Sequence, residues 1–429
     1  TSGGALVAAA NKPQQWNGDF VFTGTDNLDM GSGTVTVGGV DLQRTLTLAN
    51  GTLTVGELKS ISQGLIKQGS GTLILSSTGA GNGASVVGGL VNVSGGAIQI
   101  NRTDADAAGS GDLTAAGLTG NGTIVNGAAV ERWLFSNGAD TSTFNGTLAN
   151  GGAGALGVNK QGSGTQILTG ANTYTGTTTV AAGILSAQNN SALGSSVVNI
   201  TGGTLQLANN ITLGGVTAYN LTGRTNTPET GIGNVSIENL SGNNVISAPL
   251  NYAALGGNHV NILSSAGSLT LGGNITNTLT NASTRNWHFT GNGDTAITGS
   301  ISDGTYPLAI RKTGAGTLTL SGSNSYTGAT SASDGTLRVL TALGNTAVSV
   351  SGGTLSLENA GAISQNTVTF SVDGLLAQTV DNAISGTASI IAQKALALGV
   401  ANNYSGDTTI NSGTGTAVTI TNVLAAGTG

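Results

Sequence analysis

The chain has 429 residues, of which 72 are glycine and only 7% are charged, and its formal net charge is −6. With only 13 Lys and Arg and no basic cluster, it lacks the electrostatic footprint of a nucleic-acid-binding protein. The absence of cysteine excludes disulfides, thiol catalysis and cysteine-based metal sites. A hydrophobic content of 38% is enough for a narrow continuous core and argues against disorder.

Short stretches of alternating apolar and hydroxyl residues recur along the chain. They occur at residues 34–37, 45–48, 52–55, 317–320 and 354–357. Such alternation places aliphatic side chains on one face of a strand and hydroxyls on the other, which is typical of half-buried strands. No stretch of ten or more residues shows convincing amphipathic helical spacing. The sequence therefore predicts an all-β protein.

A glycine pair separates the strands of a short repeat, which occurs at residues 91–100, 198–207 and 348–357, with a looser copy at 46–55. If Val348 points inward, strict alternation would turn Leu355 outward, although Leu355 belongs to the next apolar pair. The alternation must change parity at Gly352 and Gly353, because glycine adopts the positive φ of a corner without a Cβ clash. We expect a corner there, with positive φ for at least one of the two glycines.

The spacing of the inward leucines sets the length of one turn. Leu318 and Leu337 lie 19 residues apart, and Leu337 and Leu355 lie 18 apart. At roughly 20 residues per turn the chain would form about 21 turns, each with three short strands. The sequence predicts a single-stranded parallel β-solenoid, a right-handed β-helix because parallel crossovers are right-handed. Its inward ladders are predicted to contain Leu318, Leu320, Leu337, Leu355 and Leu357.

A longer period divides the chain into modules. ERWLFSNGAD at residues 131–140 and RNWHFTGNGD at 285–294 place Trp133 and Trp287 in equivalent positions, with Trp16 as a third member. We predict modules at about 16–130, 131–284 and 285–429 within one continuous rod over residues 1–429. Because the sequence stops within its pattern and without a polar cap, we expect it to be part of a longer protein.

Two 17-residue segments carry a more specific motif: KQGSGTQILTGANTYTG at 160–176 and KTGAGTLTLSGSNSYTG at 312–328. A partial copy lies at 67–76 and a short one at 402–406. The motif resembles the autotransporter-associated, or passenger-associated transport, β-strand repeat of Gram-negative bacteria. The resemblance implies a β-helical passenger at the cell surface or outside the cell, an adhesin or fibre. It also implies membrane attachment only through a barrel that this sequence does not contain.

The motif's polar residues allow structural and functional interpretations. The tyrosines are interpreted as corner residues that pack over glycine and bond through the hydroxyl, the alternative being sugar stacking: Tyr174, Tyr326 and Tyr404. The asparagines are expected to bond backbone groups at strand ends: Asn172, Asn324 and Asn402. The lysines are predicted to be solvated edge charges, because no carboxylate recurs beside them: Lys67, Lys160 and Lys312.

One repeat carries a polar residue at a core position. Gln166 stands where the sister copies have Leu73 and Leu318. A buried, unpaired amide is unfavourable by a few kcal/mol. The Gln166 amide must therefore find a partner in a neighbouring turn or mark a local register change, and the sequence leaves both open.

The sequence offers few candidates for catalytic residues. The two histidines, His259 and His288, are not near a Ser-Gly nucleophile context. We therefore predict no catalytic, cofactor-binding or metal-binding residue. The densest charge cluster contains Asp104, Asp106 and Asp112 with Arg102. It supports the alternative of a polysaccharide-active β-helix enzyme with an acidic site near Asp104 and Asp106, although the small residues between the acids favour an inserted loop.

Three functions follow from these patterns. The leading hypothesis is a non-enzymatic extracellular structural or adhesive rod, without a cofactor, and the second is the polysaccharide-active enzyme. The third is an ice- or crystal-binding face of Thr-x-Thr pairs, which their irregular positions disfavour. Expected partners are other copies, by end-to-end stacking into fibres, and surface glycans or other cells, but no nucleic acid.

Overall fold

The computed structural model describes residues 6–7, 11–76, 84–102, 112–225, 235–280, 284–371, 373–411 and 418–420. The described chain forms strands and contains no helix. Strands of successive turns pair in parallel, which gives a β-solenoid of about 16 turns. The predicted all-β parallel solenoid is confirmed, whereas the right hand of its crossovers stays a prediction.

Two compact units divide the chain: Thr1–Leu205 with Leu213–Thr217, and Gln206–Thr212 with Ala218–Gly429. The strands of the first unit are β1 (Leu6–Val7), β2 (Gln14–Trp16), β3 (Phe20–Phe22), β4 (Leu28–Asp29), β5 (Val35–Val37), β6 (Gln43–Leu48), β7 (Thr52–Val55), β8 (Leu58–Lys59), β9 (Gly64–Gln68), β10 (Thr72–Leu75), β11 (Ser85–Val93), β12 (Ala97–Ile100), β13 (Leu113–Gly120), β14 (Thr123–Asn126), β15 (Arg132–Ser136), β16 (Ser142–Phe144), β17 (Thr147–Asn150), β18 (Leu156–Lys160), β19 (Thr165–Leu168), β20 (Thr178–Val180), β21 (Ile184–Ala187) and β22 (Val197–Ile200). Strands β23 (Thr204–Leu207) and β24 (Thr212–Leu213) contain residues of both units.

The remaining strands belong to the second unit. They are β25 (Ala218–Thr222), β26 (Ile237–Asn239), β27 (Asn243–Ile246), β28 (Leu250–Ala254), β29 (His259–Ser264), β30 (Ser268–Leu271), β31 (Ile275–Asn277), β32 (Arg285–Thr290), β33 (Asp294–Ile297), β34 (Ile301–Ser302), β35 (Leu308–Lys312), β36 (Thr317–Leu320), β37 (Thr330–Ala332), β38 (Thr336–Val339), β39 (Val348–Val350), β40 (Thr354–Leu357), β41 (Thr367–Phe370), β42 (Leu375–Gln378), β43 (Ser389–Ala392), β44 (Leu396–Leu398), β45 (Thr408–Ile410) and β46 (Val418–Ile420). The prediction of one continuous domain stays a prediction.

The core of each unit is a set of aliphatic ladders. In the first unit, one ladder contains Leu53, Leu73, Ile98, Ile124 and Leu148. In the second unit, Leu318 pairs with Leu337 and Leu337 with Leu355, while Val339 connects Leu320 to Leu357. All of these side chains are buried. The five predicted inward leucines are therefore confirmed, together with the change of parity between β39 and β40.

The turns are less uniform than predicted. Three strands form each turn between β26 and β34, whereas two named strands form each turn between β35 and β42. On the third side of the later turns, isolated bridges join Ile301 to Asn324 and Ile363 to Ile384. Turn length ranges from 18 residues between Leu337 and Leu355 to 31 between Tyr219 and Leu250. The longer turns explain why there are about 16 turns rather than about 21.

The prediction of a positive φ at Gly352 or Gly353 is wrong, since neither has one. A Cβ added to Gly352 would lie 2.5 Å from the carbonyl oxygen of Ser333, and one on Gly353 would lie 2.9 Å from that of Gly335. Both glycines lie at the predicted corner. Glycine is required there because the backbone lies too close to the preceding turn for a Cβ, and not because of a positive φ. The positive φ occurs in that preceding turn, at Gly335, where φ is 60°.

The predicted equivalence of two tryptophans is also wrong. Arg132 pairs with Leu156 and Arg285 with Leu308, and each of these leucines precedes its repeat lysine by four residues. Trp133 follows its arginine by one residue and is half-buried, whereas Trp287 follows by two and is fully buried. A one-residue offset in a strand turns the side chain to the opposite face. The proposed module boundaries remain a prediction.

Candidate functional site

The repeat lysines are buried at the corners, so their prediction as solvated edge charges is wrong. Lys67 Nζ donates hydrogen bonds to the carbonyl oxygens of Gln68 at 3.1 Å, Gly69 at 2.9 Å and Gly95 at 2.9 Å. Gln68 and Gly69 belong to its own corner, and Gly95 belongs to the next turn. We use the term lysine clamp for a repeat lysine and the carbonyls that it bonds.

The two full repeats contain the same clamp. Lys160 donates to Gly162 and, at 3.4 Å, to Ala182 of the next turn. Lys312 donates to Thr313 at 2.7 Å, to Gly314, and to Asp334 of the next turn at 3.3 Å. The clamp therefore joins each corner to the corner of the next turn by hydrogen bonds to backbone carbonyls. Because every residue has a backbone carbonyl, the sequence does not indicate which ones the lysine bonds.

A positive-φ glycine lies over each lysine of the clamp. These glycines are Gly96, Gly183 and Gly335, with φ between 59° and 62°. An added Cβ would lie 2.7–2.8 Å from the lysine Nζ. Burial lowers the pKa of each lysine to about 8. The glycine leaves room for the ammonium group and also gives the backbone the left-handed conformation that its corner needs.

The repeat tyrosines are buried, as expected for corner residues. The hydroxyl of Tyr174 lies 2.7 Å from Thr178 Oγ1, that of Tyr326 2.7 Å from Thr330 Oγ1, and that of Tyr404 2.6 Å from Thr408 Oγ1. Burial raises the pKa of each tyrosine. The structural interpretation is confirmed, because a ring enclosed on both sides has no free face for a sugar.

The repeat asparagines bond backbone groups, as predicted. Asn172 Oδ1 accepts from the Leu148 N–H at 2.8 Å, and its Nδ2 donates to the Ala192 carbonyl at 2.6 Å. Asn324 Nδ2 donates to the Ala342 carbonyl at 3.2 Å. Asn402 Oδ1 accepts from the Ile384 N–H at 3.1 Å. These amides replace ladder bonds where strands end.

Gln166 is buried and its amide is bonded on both sides. Its Oε1 accepts from the Leu118 N–H and the Ser142 hydroxyl, each at 2.8 Å. Its Nε2 donates to the Leu118 carbonyl at 3.1 Å. Of the two alternatives for this residue, the structure selects partners in neighbouring turns.

The predicted acidic cluster is only partly described. Asp104 and Asp106 lie outside the described residues. Asp112 is 2% exposed, and its Oδ1 lies 3.0 Å from Arg102 Nη1 and 3.2 Å from Arg132 Nη1. Burial raises the pKa of Asp112, while the Trp133 N–H, 2.7 Å from its Oδ2, and the two guanidiniums oppose that shift. A carboxylate held by three donors is a structural ion pair rather than an acid open to substrate.

The two histidines lie in paired strands, His259 in β29 and His288 in β32. His288 is buried, with Nε2 2.7 Å from Thr313 Oγ1, and His259 lies in an antiparallel bridge with Arg224. Within the described ranges, no set of three or more acidic or histidine side chains is placed to hold a metal ion. No membrane-crossing helix occurs in the described part of the chain.

The first unit has an open groove that sequence reasoning missed. Its volume is about 570 Å³, and it is lined by residues of successive corners, including Thr36, Lys59, Ser60, Ile61 and Val86. Ile61 is 96% exposed. One sequence signal could have predicted this groove. Large aliphatic residues occur at these corners, whereas glycine and serine are common at the other corners. Such a surface can form apolar contacts with another molecule.

Stacked parallel turns, whose recurring polar residues bond from one turn to the next, define a β-solenoid repeat protein. The passenger-associated-transport-repeat family matches the chain at residues 65–100, 158–187, 310–339 and 395–414. The chain thus contains four regions that match this passenger repeat, as the sequence motif predicted. Comparisons with curated proteins and with solved structures give no significant match.

Proposed function

We propose that this chain is a segment of an extracellular passenger of a Gram-negative bacterium, with a non-enzymatic structural or adhesive role. The family match and the solenoid fold support an autotransporter passenger-like protein. The observation that carries the proposal is the burial of the repeat's polar residues. Lysine, tyrosine and asparagine all bond inside the stack of turns, so the motif builds a scaffold instead of a reactive site.

Adhesion or self-association then depends on the outer surface. The groove of the first unit supports this part of the proposal, because its lining residue Ile61 is 96% exposed, and Val40, just outside the lining at the neighbouring corner, is 99% exposed. Surface glycans, other cells and further copies of the chain are the proposed partners. Head-to-tail contacts between copies would give an open filament rather than a closed ring.

Surface display tests the adhesive role. The chain and a Val40→Ser/Ile61→Ser double variant would be displayed on cells, and attachment to glycan-coated and cell-coated surfaces counted. We expect attachment by the parent chain and at least about threefold weaker attachment by the double variant, because apolar contact area is lost. Thr36→Ser, a mild change in the same groove, is the matched control. Negative-stain images of the purified chain report filament formation directly, and a strictly monomeric, non-attaching chain would contradict the proposal.

The non-enzymatic role has a separate test. The purified chain would be incubated with acidic polysaccharides, and new reducing ends and unsaturated products measured over hours. We expect no turnover above a heat-denatured control. Sustained cleavage that disappears in an Asp104→Asn/Asp106→Asn double variant would establish the alternative enzyme and refute the scaffold.

A further inference from the structure

The chain contains nine Asn-Gly pairs, and eight of them lie in the described residues. The asparagine of such a pair can lose its side-chain amide without an enzyme, because glycine leaves the backbone nitrogen that follows the asparagine unhindered. That nitrogen attacks Cγ of the asparagine and closes a five-membered ring. The sequence alone makes all nine pairs equally reactive, so the structure decides which of them react.

Five of these glycines have an N–H that is bonded to the preceding turn. The N–H of Gly138 donates to the Ala116 carbonyl at 2.7 Å, and that of Gly151 donates to the Asn126 carbonyl at 2.8 Å. Three more glycines make the same kind of bond at 2.6–2.9 Å: Gly122, Gly127 and Gly293. A bonded nitrogen must give up its hydrogen bond before it can lose its proton and attack. Stacking of the turns therefore protects the five asparagines that precede these glycines.

Two further pairs are protected by their side-chain bonds and their packing. Oδ1 of Asn50 accepts from the Ser70 hydroxyl at 3.3 Å, and Oδ1 of Asn145 accepts from the Thr169 hydroxyl at 2.5 Å. Both hydroxyls belong to the next turn, and ring closure would have to rotate the amide groups away from them. A Cβ added to the glycine of either pair would lie 2.8 Å or less from a carbonyl oxygen of the preceding turn. These pairs have little room to rearrange.

Asn17 and Gly18 have none of these restraints. Both residues are exposed, at the corner that follows β2. Within the described ranges, nothing bonds the Gly18 N–H or the Asn17 side-chain amide. Apart from its chain neighbours, no atom lies within 4 Å of the position that a Cβ on Gly18 would take. The Gly18 nitrogen can therefore reach Cγ of Asn17 without breaking a contact.

We propose that Asn17 is a site of spontaneous modification, at which the chain deamidates through a succinimide. A base removes the Gly18 N–H proton, the nitrogen forms a bond to Asn17 Cγ, and the Cγ–Nδ2 bond breaks. The departing amide takes up the proton and leaves as ammonia. One water molecule then opens the ring at either of its carbonyl carbons. The products are aspartate and isoaspartate, in which the main chain continues through the side-chain carboxyl group.

The modification alters a corner beside the groove of the first unit. The carbonyl of Trp16 accepts from the N–H of Gly38, which lines the groove, and Asn17 Oδ1 lies 2.8 Å from the position of a Cβ on Gly38. Arg44 Nε donates to the Gly38 carbonyl at 2.6 Å, so a positive charge lies near the new carboxylate. Deamidation adds one negative charge at this corner, and isoaspartate lengthens the main chain by one carbon atom.

Peptide mapping by mass spectrometry tests the predicted selectivity. The folded full chain would be kept in mildly alkaline buffer, and the aspartate and isoaspartate formed at each of the eight described pairs measured over weeks. We expect Asn17 to react at least about tenfold faster than the five asparagines whose glycine N–H is bonded, because each of those bonds must break first. The same chain in urea is the control. There the rates at the eight pairs should converge, because unfolding removes the protection.

A Gly18→Ala variant locates the reaction. The alanine methyl group hinders the attacking nitrogen, and we expect deamidation of Asn17 to fall about tenfold while the other pairs keep their rates. Because Gly18 has open space around it and no positive φ, Tm should not change. Equal rates at the eight pairs of the folded chain, or a faster reaction at Asn137 than at Asn17, would overturn the proposal. A Gly18→Ala chain that deamidates at Asn17 as fast as the parent would overturn it as well.

Discussion

Replacing Lys312 by methionine tests whether the lysine clamp stabilises the stack of turns. Methionine keeps the unbranched apolar stem but removes the ammonium group. The carbonyls of Thr313, Gly314 and Asp334 then lose their common donor. Hydrogen bonds to a charged group contribute about 1.5–3 kcal/mol each. The removal of a desolvated charge offsets part of that sum, and we expect a net loss of about 2–4 kcal/mol.

Urea unfolding followed by circular dichroism at pH 7 measures this loss. Lys394→Met is the matched control, because Lys394 is exposed and its ion pair with Asp373, at 3.0 Å, lies at the surface. Exposed pairs contribute about 0–1 kcal/mol, so the control should lose little. Equal losses in the two variants would refute the clamp as a stabilising contact.

The same clamp predicts a pH dependence. Burial lowers the pKa of Lys312 from 10.5 to about 8, so the unfolded chain binds more protons than the folded chain between those values. The free energy of unfolding should therefore rise as the pH increases from about 8 towards 10. Lys312→Met should show a smaller rise than the parent chain. A parent stability that falls steadily between pH 8 and 9.5 would show that the three carbonyl bonds hold the proton and outweigh desolvation.

Further substitutions test the core, the corner and the tyrosine. Leu355→Asp should lose several kcal/mol in urea unfolding through an unpaired buried charge, while Thr354→Asp on the outer face should lose little; equal losses would contradict the assignment of faces. Gly352→Val should lower Tm and lose more than about 1 kcal/mol, because its Cβ meets the Ser333 carbonyl, and an unchanged Tm would refute that contact. Tyr326→Phe should lose about 1 kcal/mol and weaken the fall in stability above pH 10 that the raised tyrosine pKa predicts. An unchanged alkaline limb would exclude Tyr326 as its source.

The sequence by itself was enough to predict the class of fold and the inward residues. A strand has a side-chain period of two, so alternating leucines and threonines assign faces before any partner is known. Leu318, Leu337 and Leu355 therefore align as predicted, and each is buried. The repeat motif likewise predicted the passenger-associated repeats that the family model matches in four regions of the chain.

Only the tertiary structure decided what each corner residue contacts. Lys312 looked like a surface charge because its acceptors are backbone carbonyls, one of them 22 residues away in the next turn. Gly352 was predicted to have a positive φ. A glycine required for positive φ and a glycine required for close packing of two backbones cannot be told apart in the sequence. Trp133 and Trp287 looked equivalent because a one-residue offset, which reverses the face, hardly alters the motif.

The alternation of residues along the sequence thus determined which side chains enter the core, because alternation depends only on the geometry of a single strand. The bonding of the polar residues depended on register between turns separated by 18 to 31 residues, and insertions of one or a few residues change that register. For the same reason the pairing of Asp112 with Arg132 appeared only when the turns were stacked.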